Sequence, residues 1–391
     1  MDRNDVLKGV LAINSNNMLL EFPTGFGKTR MAIEKVKSLK CKTLLLVVHR
    51  VVHKETWEEE FHKWWKNCNM QITMTTYTSL HKHTGIYDVC IFDECHHLSE
   101  RCRDLLGNFK VKHNILLSAT VNIKLKNEFS LCFPNLYIYR ISLRKAIDEH
   151  VLPDPKVYLI PLSLSTTEEM RFIWKNKSGK GLTQYVKWKD RWDYANDKRH
   201  PIVVTCTHQQ YIEYLNSQID FWKKRYMRIN TEAAKNKWLR LCGDRLRWLS
   251  DLKTPIIQEI LKKLEDKRTL TFCNNITQTS KLGKDCINSK NKRSKEILQD
   301  FNDGMINHIT ACNILNEGVN ITNCQVGIYA NLNSSDTIVK QRAGRLLRHK
   351  SPVIIIPYYK DTREEELIRK MLENYNKDLV ITVNDFHNLK I

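Results

Sequence analysis

The stretch Asn17-Met-Leu-Leu-Glu-Phe-Pro-Thr-Gly-Phe-Gly-Lys-Thr29 determines how the rest of the chain is interpreted. Its apolar first half predicts a short buried strand, and its glycines predict a tight turn that exposes backbone N–H groups. A helix is expected to follow from about Thr29 to Ser38. Because exposed N–H groups and a helix N-terminus both attract anions, this order of elements predicts a phosphate-binding turn.

The predicted phosphate-binding turn occupies Phe22–Thr29. It follows the G-x-x-x-x-G-K-[ST] pattern except at the first glycine, where Phe22 stands. An ordinary glycine-rich turn is the alternative, but the strand before it and the helix after it favour a nucleotide site. Lys28 is expected to reach the β- and γ-phosphates, and the Thr29 hydroxyl is expected to ligate Mg²⁺. The expected nucleotide contacts in this turn are Pro23, Thr24, Gly25, Phe26, Gly27, Lys28, Thr29 and Arg30.

A pair of carboxylates follows the apolar segment Val89-Cys-Ile-Phe92. At the end of this predicted strand, one carboxylate of Asp93 and Glu94 can hold a metal ion while the other accepts a proton from water. A solvated acidic turn would be the interpretation if the pair stood alone. His96 and His97 are not expected to bind zinc, because adjacent histidines point apart on a helix and no third ligand is suitably spaced.

The segment Gln341-Arg-Ala-Gly-Arg-Leu-Leu-Arg348 supplies two arginines. Arg345 and Arg348 stand three apart, which places both guanidinium groups on one face of a helix. Two arginines there can neutralise the charge that develops on a phosphoryl group during transfer. An exposed basic helix is the alternative, which the accompanying Gln341 and Gly344 disfavour. The predicted catalytic residues are therefore Lys28, Asp93, Glu94, Gln341, Arg345 and Arg348.

Apolar runs of strand length alternate with helical patterns along the chain. Lys42-Thr-Leu-Leu-Leu-Val-Val48 is typical of a parallel strand that is covered on both faces. This alternation predicts an α/β fold with doubly wound parallel sheets, whose ligands bind at the carboxyl ends of the strands. The character of the chain changes near Pro153, and a strand of a second unit is expected at Lys156–Ser163.

Residues 165–255 differ in composition from their surroundings. They contain 19 Lys and Arg against 10 Asp and Glu, and six of the nine tryptophans. Apolar residues recur at helical spacing from Trp238 to Leu264. We therefore predict a basic helical insertion whose tryptophans are core residues rather than base-stacking platforms. Its Lys223, Lys224 and Arg225 are expected to contact nucleic acid.

The charge balance points to a polyanionic partner. The 391 residues include 63 Lys and Arg against 43 Asp and Glu, a formal net charge of +20. An excess of this size attracts nucleic acid, although solubility alone is the alternative explanation.

The sequence shows no clear signal for membrane insertion, secretion or disulfide formation. No apolar run approaches the roughly 20 residues that span a bilayer, and the first residues do not resemble a secretion signal. The 12 cysteines include no C-x-x-C pair, so reduced thiols are expected. The expected location is the cytoplasm of a bacterium or of a virus-infected cell, with a nuclear location left open.

Together these segments carry a family resemblance. In chain order, P-T-G-F-G-K-T, D-E-C-H, Ser118-Ala-Thr120 and Q-R-A-G-R-L-L-R resemble motifs I, II, III and VI of superfamily 2 helicases of the DExH type. Weaker counterparts of other motifs lie at 47–50, 75–80, 271–274 and 315–320. The last motif is most similar to the branch that holds phage UvsW, XPB and the type I and III restriction motors. D-E-C-H also occurs in RIG-I-like and Dicer-like RNA helicases.

The resemblance implies two RecA-like lobes with ATP and Mg²⁺ between them. Residues 1–145 would form the first lobe and residues 146–391 the second, with the insertion at 165–255 in the second. Thr29 and Asp93 would hold the metal ion.

The resemblance also implies roles outside the phosphate-binding turn. The residues that couple hydrolysis to movement would be His96, Ser118 and Thr120. Gly318 and Asn320 would contact the nucleotide, although Asn320 stands where the family usually has aspartate. Nucleic acid would be contacted by Arg50, Thr76, Asn274, Cys312 and Asn316, and Cys312 replaces a threonine of the family.

The sequence therefore predicts an ATP-dependent DNA helicase or translocase that acts on single-stranded, duplex, forked or branched DNA. It is expected to be monomeric and to have no membrane partner. An RNA helicase or RNA-dependent ATPase is the alternative within the class. A nucleic-acid-binding scaffold that uses ATP as a switch without productive turnover is the alternative from another class. The motor subunit of a restriction system has less support, because no nuclease carboxylate–lysine cluster is recognisable.

Overall fold

The computed structural model describes residues 2–175, 183–195, 200–312, 321–332, 342–389 and 391. Its N-terminal part forms one sheet of six strands, which with its helices is called the first lobe. The strands are β1 (Asn17–Glu21), β2 (Thr43–Val48), β3 (Gln71–Thr76), β4 (Gly85–Phe92), β5 (Phe109–Ser118) and β6 (Tyr137–Arg140). The helices are α1 (Arg3–Ala12), α2 (Lys28–Ser38), α3 (Val52–Trp64), α4 (Glu100–Asp104), α5 (Ile123–Cys132) and α6 (Leu143–Asp148).

All strands of the first sheet are parallel, in the order β3-β2-β4-β5-β1-β6. Alternate residues of β2 belong to two different cores. Leu44, Leu46 and Val48 pack into one core, and Leu45 and Val47 pack into another on the opposite face. Because each buried leucine or valine stabilises the fold by about 1.5–3 kcal/mol, a strand covered on both faces is apolar throughout.

The chain then enters a second sheet with β7 (Lys156–Leu162) and leaves it again. The elements that follow are β8 (Glu169–Lys175), β9 (Gln184–Lys187), β10 (Ile202–Thr207), α7 (His208–Ile229), α8 (Glu232–Leu252) and α9 (Thr254–Lys263). The three strands form a separate mixed sheet in the order β8-β10-β9, in which β8 is antiparallel and β9 parallel to β10. The insertion predicted over 165–255 is therefore not helical throughout, because its first part is a sheet.

Two further details of this segment differ from the prediction. The continuous helical pattern from Trp238 to Leu264 is divided into α8 and α9, because Pro255 in the first turn of α9 has no N–H to continue the ladder of α8. The six tryptophans of the segment are not fully buried, and Trp192 is 66% exposed. They are therefore partly solvated aromatic residues rather than a closed core.

The second lobe is completed by β11 (Thr269–Cys273), β12 (Cys286–Ile287), β13 (His308–Cys312), β14 (Val326–Tyr329), β15 (Val353–Tyr359) and β16 (Val380–Thr382). Its helices are α10 (Ile276–Leu282), α11 (Ser294–Asn302), α12 (described residues 342–346) and α13 (Arg363–Leu372). The sheet is parallel, in the order β12-β13-β11-β14-β15-β7-β16. Without β12, this order repeats that of the first sheet, so the predicted fold of two parallel α/β lobes is confirmed. The boundary near residue 146 stays a prediction.

One apolar core runs from the first lobe into the second. It joins Leu46 and Met31 of the first lobe to Phe272 and Ile354 of the second. An ion pair also connects the lobes at the surface, where Lys295 Nζ lies 3.1 Å from Glu55 Oε2. In the part of the chain that the structure describes, no helix is long and apolar enough to cross a membrane.

A buried ion pair fastens the inserted helices to the second lobe. Lys253, between α8 and α9, donates to Glu364 Oε1 at the start of α13, and the side chains of both residues are almost completely buried. Glu364 Oε2 also accepts from the Tyr359 backbone N–H at 2.9 Å. Burial lowers the pKa of Lys253, and the charge of Glu364 opposes that change. A buried charge of this kind is tolerated only while its partner remains.

We expect Lys253→Met to lower the free energy of unfolding of the second lobe by about 3–5 kcal/mol, because it leaves Glu364 buried without a counter-charge. Urea unfolding followed by circular dichroism measures the change. Lys370→Met is the matched control, since Lys370 pairs with Glu366 on the surface of α13. That control is expected to cost less than about 1 kcal/mol. Equal losses in the two variants would show that the buried pair has no special role.

Candidate functional site

The turn after β1 has the backbone geometry of an anion cradle. Gly25 and Gly27 have φ values of 84° and 100°, which L side chains rarely adopt. Gly27 caps α2, so the first N–H groups of α2, which have no partner within the helix, lie at this turn. The helix dipole adds partial positive charge at the same point. The turn therefore presents backbone donors and a positive field to one small volume.

Two side chains of the turn, Lys28 and Thr24, carry polar groups that a ligand in the cleft can bind. Lys28 Nζ donates to the Phe22 carbonyl at 3.0 Å. Burial lowers the pKa of Lys28, while the charges of Glu94 and Asp93 oppose the change. The Thr24 hydroxyl is buried and has no hydrogen-bond partner in the described part of the chain. A buried hydroxyl without a partner costs about 1–3 kcal/mol, so a ligand that bonds to it would gain affinity.

The carboxylate of Asp93 is held from two sides. Its Oδ2 accepts from Trp57 Nε1 at 2.8 Å, and its Oδ1 accepts from the backbone N–H of Glu94 at 3.0 Å. Burial, together with the charge of Glu94, raises the pKa of Asp93 to about 6, and the hydrogen bond from Trp57 opposes this rise. Glu94 has a φ of 48°, a left-handed conformation that costs about 1–2 kcal/mol in a residue with a Cβ.

The three predicted coupling residues are hydrogen-bonded to one another and lie beside Glu94. His96 Nδ1 lies 3.1 Å from Ser118 Oγ and 3.4 Å from Glu94 Oε2. Ser118 Oγ donates to the Thr120 carbonyl at 3.0 Å. Because Phe22 N donates to the Ser118 carbonyl at 3.1 Å, the same set also touches the strand that leads into the phosphate turn.

The second lobe approaches the phosphate turn through Gly344. A Cβ on Gly344 would lie 2.3 Å from Thr24 Cβ, and a Cβ on Gly25 would lie 3.2 Å from the Gly344 carbonyl oxygen. This approach brings Arg345 of α12 and the following Arg348 to the cleft, where Arg345 is buried and Arg348 is exposed. The predicted residues Asn316, Gly318, Asn320 and Gln341 lie outside the described residues.

These elements enclose a cleft of about 750 Å³ between the lobes. Most of the predicted nucleotide contacts line it, from Thr24 to Arg30, whereas Pro23 is buried behind the turn. The charged and hydroxyl side chains that line it include Lys28, Thr29, Asp93 and Glu94 of the first lobe and Arg345 and Arg348 of the second. Cations from both lobes, a carboxylate pair and a threonine hydroxyl fit a triphosphate and its metal ion.

The predicted nucleic-acid contacts within the described residues lie outside this cleft. Arg50 follows β2 and is exposed, Asn274 follows β11, and Thr76 and Cys312 are the buried last residues of β3 and β13. All four are at the carboxyl ends of strands, two in each sheet. The three predicted contacts in the insertion are exposed on α7, at Lys223, Lys224 and Arg225.

Comparison with known proteins decides the family. Residues 6–123 match the family described as "Type III restriction enzyme, res subunit", and residues 252–350 match "Helicase conserved C-terminal domain". The chain belongs to the superfamily 2 helicases and translocases. The predicted resemblance is confirmed, and membership makes the chain a nucleic-acid-dependent ATPase.

Similar proteins and structures span almost the whole chain. The DNA 3'-5' translocase XPB2 of Sulfurisphaera tokodaii is 23% identical over 380 residues, which cover 91% of this chain and 80% of that protein. The helicase domain of Hef from Pyrococcus furiosus has a TM-score of 0.52 at 14% identity, with 94% of this chain and 97% of that chain covered. Dbp5 of S. cerevisiae bound to RNA and ADP BeF3 has a TM-score of 0.58 at 11% identity, with 97% and 88% covered.

Three residues of this superfamily member's site were not predicted. Trp57 donates to Asp93 Oδ2, and Tyr77 OH donates to the Asp93 carbonyl at 2.9 Å. Glu21 Oε1 accepts from the Val121 backbone N–H at 3.2 Å, next to the coupling set. Trp57 lies on the apolar face of α3, so its spacing indicates a core residue. Only its indole N–H, which needs a partner when buried, hints at a second role.

We expect Gly344→Ala to lower ATP turnover roughly tenfold or more, because the added methyl group overlaps Thr24 and holds the lobes apart. Nucleotide binding by the first lobe is expected to change much less, so kcat falls more than affinity for a fluorescent ATP analogue. Gly107→Ala is the matched control, since no atom lies within 4 Å of the position of its Cβ. Normal turnover in Gly344→Ala would mean that the lobes work without this close approach.

We expect Trp57→Phe to raise the Mg²⁺ concentration at half-maximal ATPase activity by about 10–100-fold, because Asp93 Oδ2 loses its donor. The variant keeps a buried aromatic ring, and thermal unfolding checks that it folds. Trp65→Phe removes an indole N–H from the end of α3, outside the cleft, and serves as the control. A Mg²⁺ dependence equal to that of the control would assign Trp57 to packing alone.

Proposed function

We propose that this chain is an ATP-dependent DNA helicase or translocase. The observation that carries the proposal is the cleft that is lined by Lys28 of one lobe and by Arg345 and Arg348 of the other. The choice of DNA rests on the relative from Sulfurisphaera tokodaii, which is named as a DNA 3'-5' translocase. The net charge of +20 supports a polyanionic track of either kind.

The charged and hydroxyl side chains that line the cleft have different roles in hydrolysis. Lys28 and the N–H groups of the turn bind the phosphates, and Glu94 accepts a proton from the attacking water. Arg345 and Arg348 neutralise the charge that develops on the transferred phosphoryl group, a contribution of about 10³–10⁵ in rate in comparable enzymes. Thr29 and Asp93 would hold Mg²⁺, which supplies charge neutralisation at the phosphates.

Because ATP hydrolysis takes place between the two lobes, it is coupled to their movement. Because the catalytic groups come from both lobes, only a closed arrangement completes the site. The close contact of Glu94 with His96, and the hydrogen bond between His96 and Ser118, connect the site to the carboxyl edge of the first sheet, where part of the nucleic acid is proposed to bind. The proposed track runs over Arg50, Thr76, Asn274 and Cys312, which are expected to contact phosphates and carry no sequence information.

Stimulation of ATPase activity tests this proposal. We expect single-stranded or forked DNA to raise turnover more than RNA of the same length, and Glu94→Gln to lower the stimulated rate by about 10²–10⁴ while ATP still binds. Glu58→Gln on the exposed face of α3 is the control. Stronger stimulation by RNA would assign the chain to RNA. Binding of DNA without any turnover in the unmodified protein would favour an ATP-switched scaffold instead.

A further inference from the structure

One face of the mixed sheet of β8, β9 and β10 is covered by helix α7. Phe172 on this face packs against Tyr211 and Tyr214 of α7, with ring centroids 4.7 and 5.1 Å apart. Val186 and Val204 are buried on the same side. This inner face therefore has its partner within the chain.

The opposite face is open and partly apolar. In register, Val203 of β10 pairs with Ile173 on one side and Tyr185 on the other, and these two are 59% and 64% exposed. In the next row, Thr205 lies between Arg171 and Lys187, which are both exposed. We call these residues the outer face, which consists of Arg171, Ile173, Tyr185, Lys187, Val203 and Thr205. Large apolar side chains that adjoin on a surface mark an interaction site more often than single ones do.

The chemistry of the outer face fits unpaired nucleotides. The Arg171 guanidinium carbon lies 5.4 Å from the ring centroid of Tyr185, so a cation and an aromatic ring share one spot. Lys187 adds a second cation, and Glu169, the first residue of β8, is an acidic residue on the same strand. Single strands bind where bases can stack on aromatic rings while phosphates meet cations, whereas the stacked bases of a duplex are not available to Tyr185.

The end of the inserted segment that joins the second lobe lies beside the proposed nucleic-acid track. Asp251, at the end of α8, accepts from Asn275 Nδ2 at 3.1 Å. Asn275 directly follows Asn274, which is a proposed nucleic-acid contact at the carboxyl end of β11. A strand that passes Asn274 therefore runs close to the point where the inserted elements attach to the second lobe.

We propose that the outer face binds single-stranded DNA, with Tyr185 stacked on a base and with Arg171 and Lys187 on phosphates. This assignment rests on the proposed function and adds to it a place where an unpaired strand is held. The two other possible occupants of the outer face are duplex DNA and a protein partner that does not change DNA affinity. Either of them would contradict this assignment.

Fluorescence anisotropy of the full chain with a labelled oligothymidylate, and with a blunt duplex, tests the assignment. We expect Tyr185→Ala to weaken single-strand affinity roughly tenfold, and Tyr185→Phe to retain it within about twofold because the ring remains. We expect Arg171→Ala with Lys187→Ala to lower the slope of log affinity against log salt by roughly 0.7 per lost phosphate contact. Duplex affinity and DNA-independent ATPase activity are expected to stay unchanged.

Tyr137→Ala and Lys110→Ala are the matched controls, because both residues are exposed near the amino ends of first-lobe strands. The assignment is overturned if Tyr185→Ala and the double variant bind oligothymidylate as these controls do. It is also overturned if single-strand and duplex affinity fall equally. Failure of the unmodified chain to bind or respond to any DNA would overturn the proposed function as well, which distinguishes the two failures.

Discussion

The close approach of Gly344 to Thr24 is the contact on which the catalytic arrangement depends. A Cβ at position 344 would also lie 2.8 Å from the Thr24 carbonyl oxygen, so the two backbones meet only because the residue is glycine. The approach brings like charges together. Burial is the main cause of the lowered pKa of Lys28, and the charge of Arg345 adds to it. Since these cations repel each other, a triphosphate between them favours closure, and nucleotide binding becomes coupled to the spacing of the lobes.

Helix α3 connects the spacing of the two lobes to the carboxylate pair of Asp93 and Glu94. Trp57 of α3 bonds to Asp93 within the first lobe, and Glu55, two residues earlier, pairs with Lys295 of the second. The two contacts differ in strength. An exposed pair such as Glu55–Lys295 is worth about 0–1 kcal/mol, whereas a hydrogen bond to a buried carboxylate is worth about 1.5–3 kcal/mol. The position of α3 is therefore set by the first lobe, and the second lobe adjusts to it through the shared apolar core.

What the sequence predicted and what it missed have separate physical reasons. The parallel strands and the phosphate turn could be predicted, because double burial makes β2 apolar throughout and the turn requires glycine at 25 and 27. In β8 the alternation of exposed and half-buried residues has the period of a strand, but the polar residues of its open face resemble a solvated helix. Trp57 was missed because its ring is a core residue and only one atom of it reaches Asp93. Contacts that depend on one atom at long sequence separation leave no periodic signal.

The repeated strand order explains where the inserted segment lies. In the first lobe, the connection from β1 to β2 is the phosphate turn and α2, and β1 lies between β5 and β6. In the second lobe, β7 lies between β15 and β16, and the connection from β7 to β11 is the whole inserted segment. The insertion therefore begins at the carboxyl end of its sheet, as the phosphate turn does in the first lobe. Because ligands of parallel sheets bind at that edge, an insertion at this connection can contact the proposed track without disturbing the nucleotide cleft.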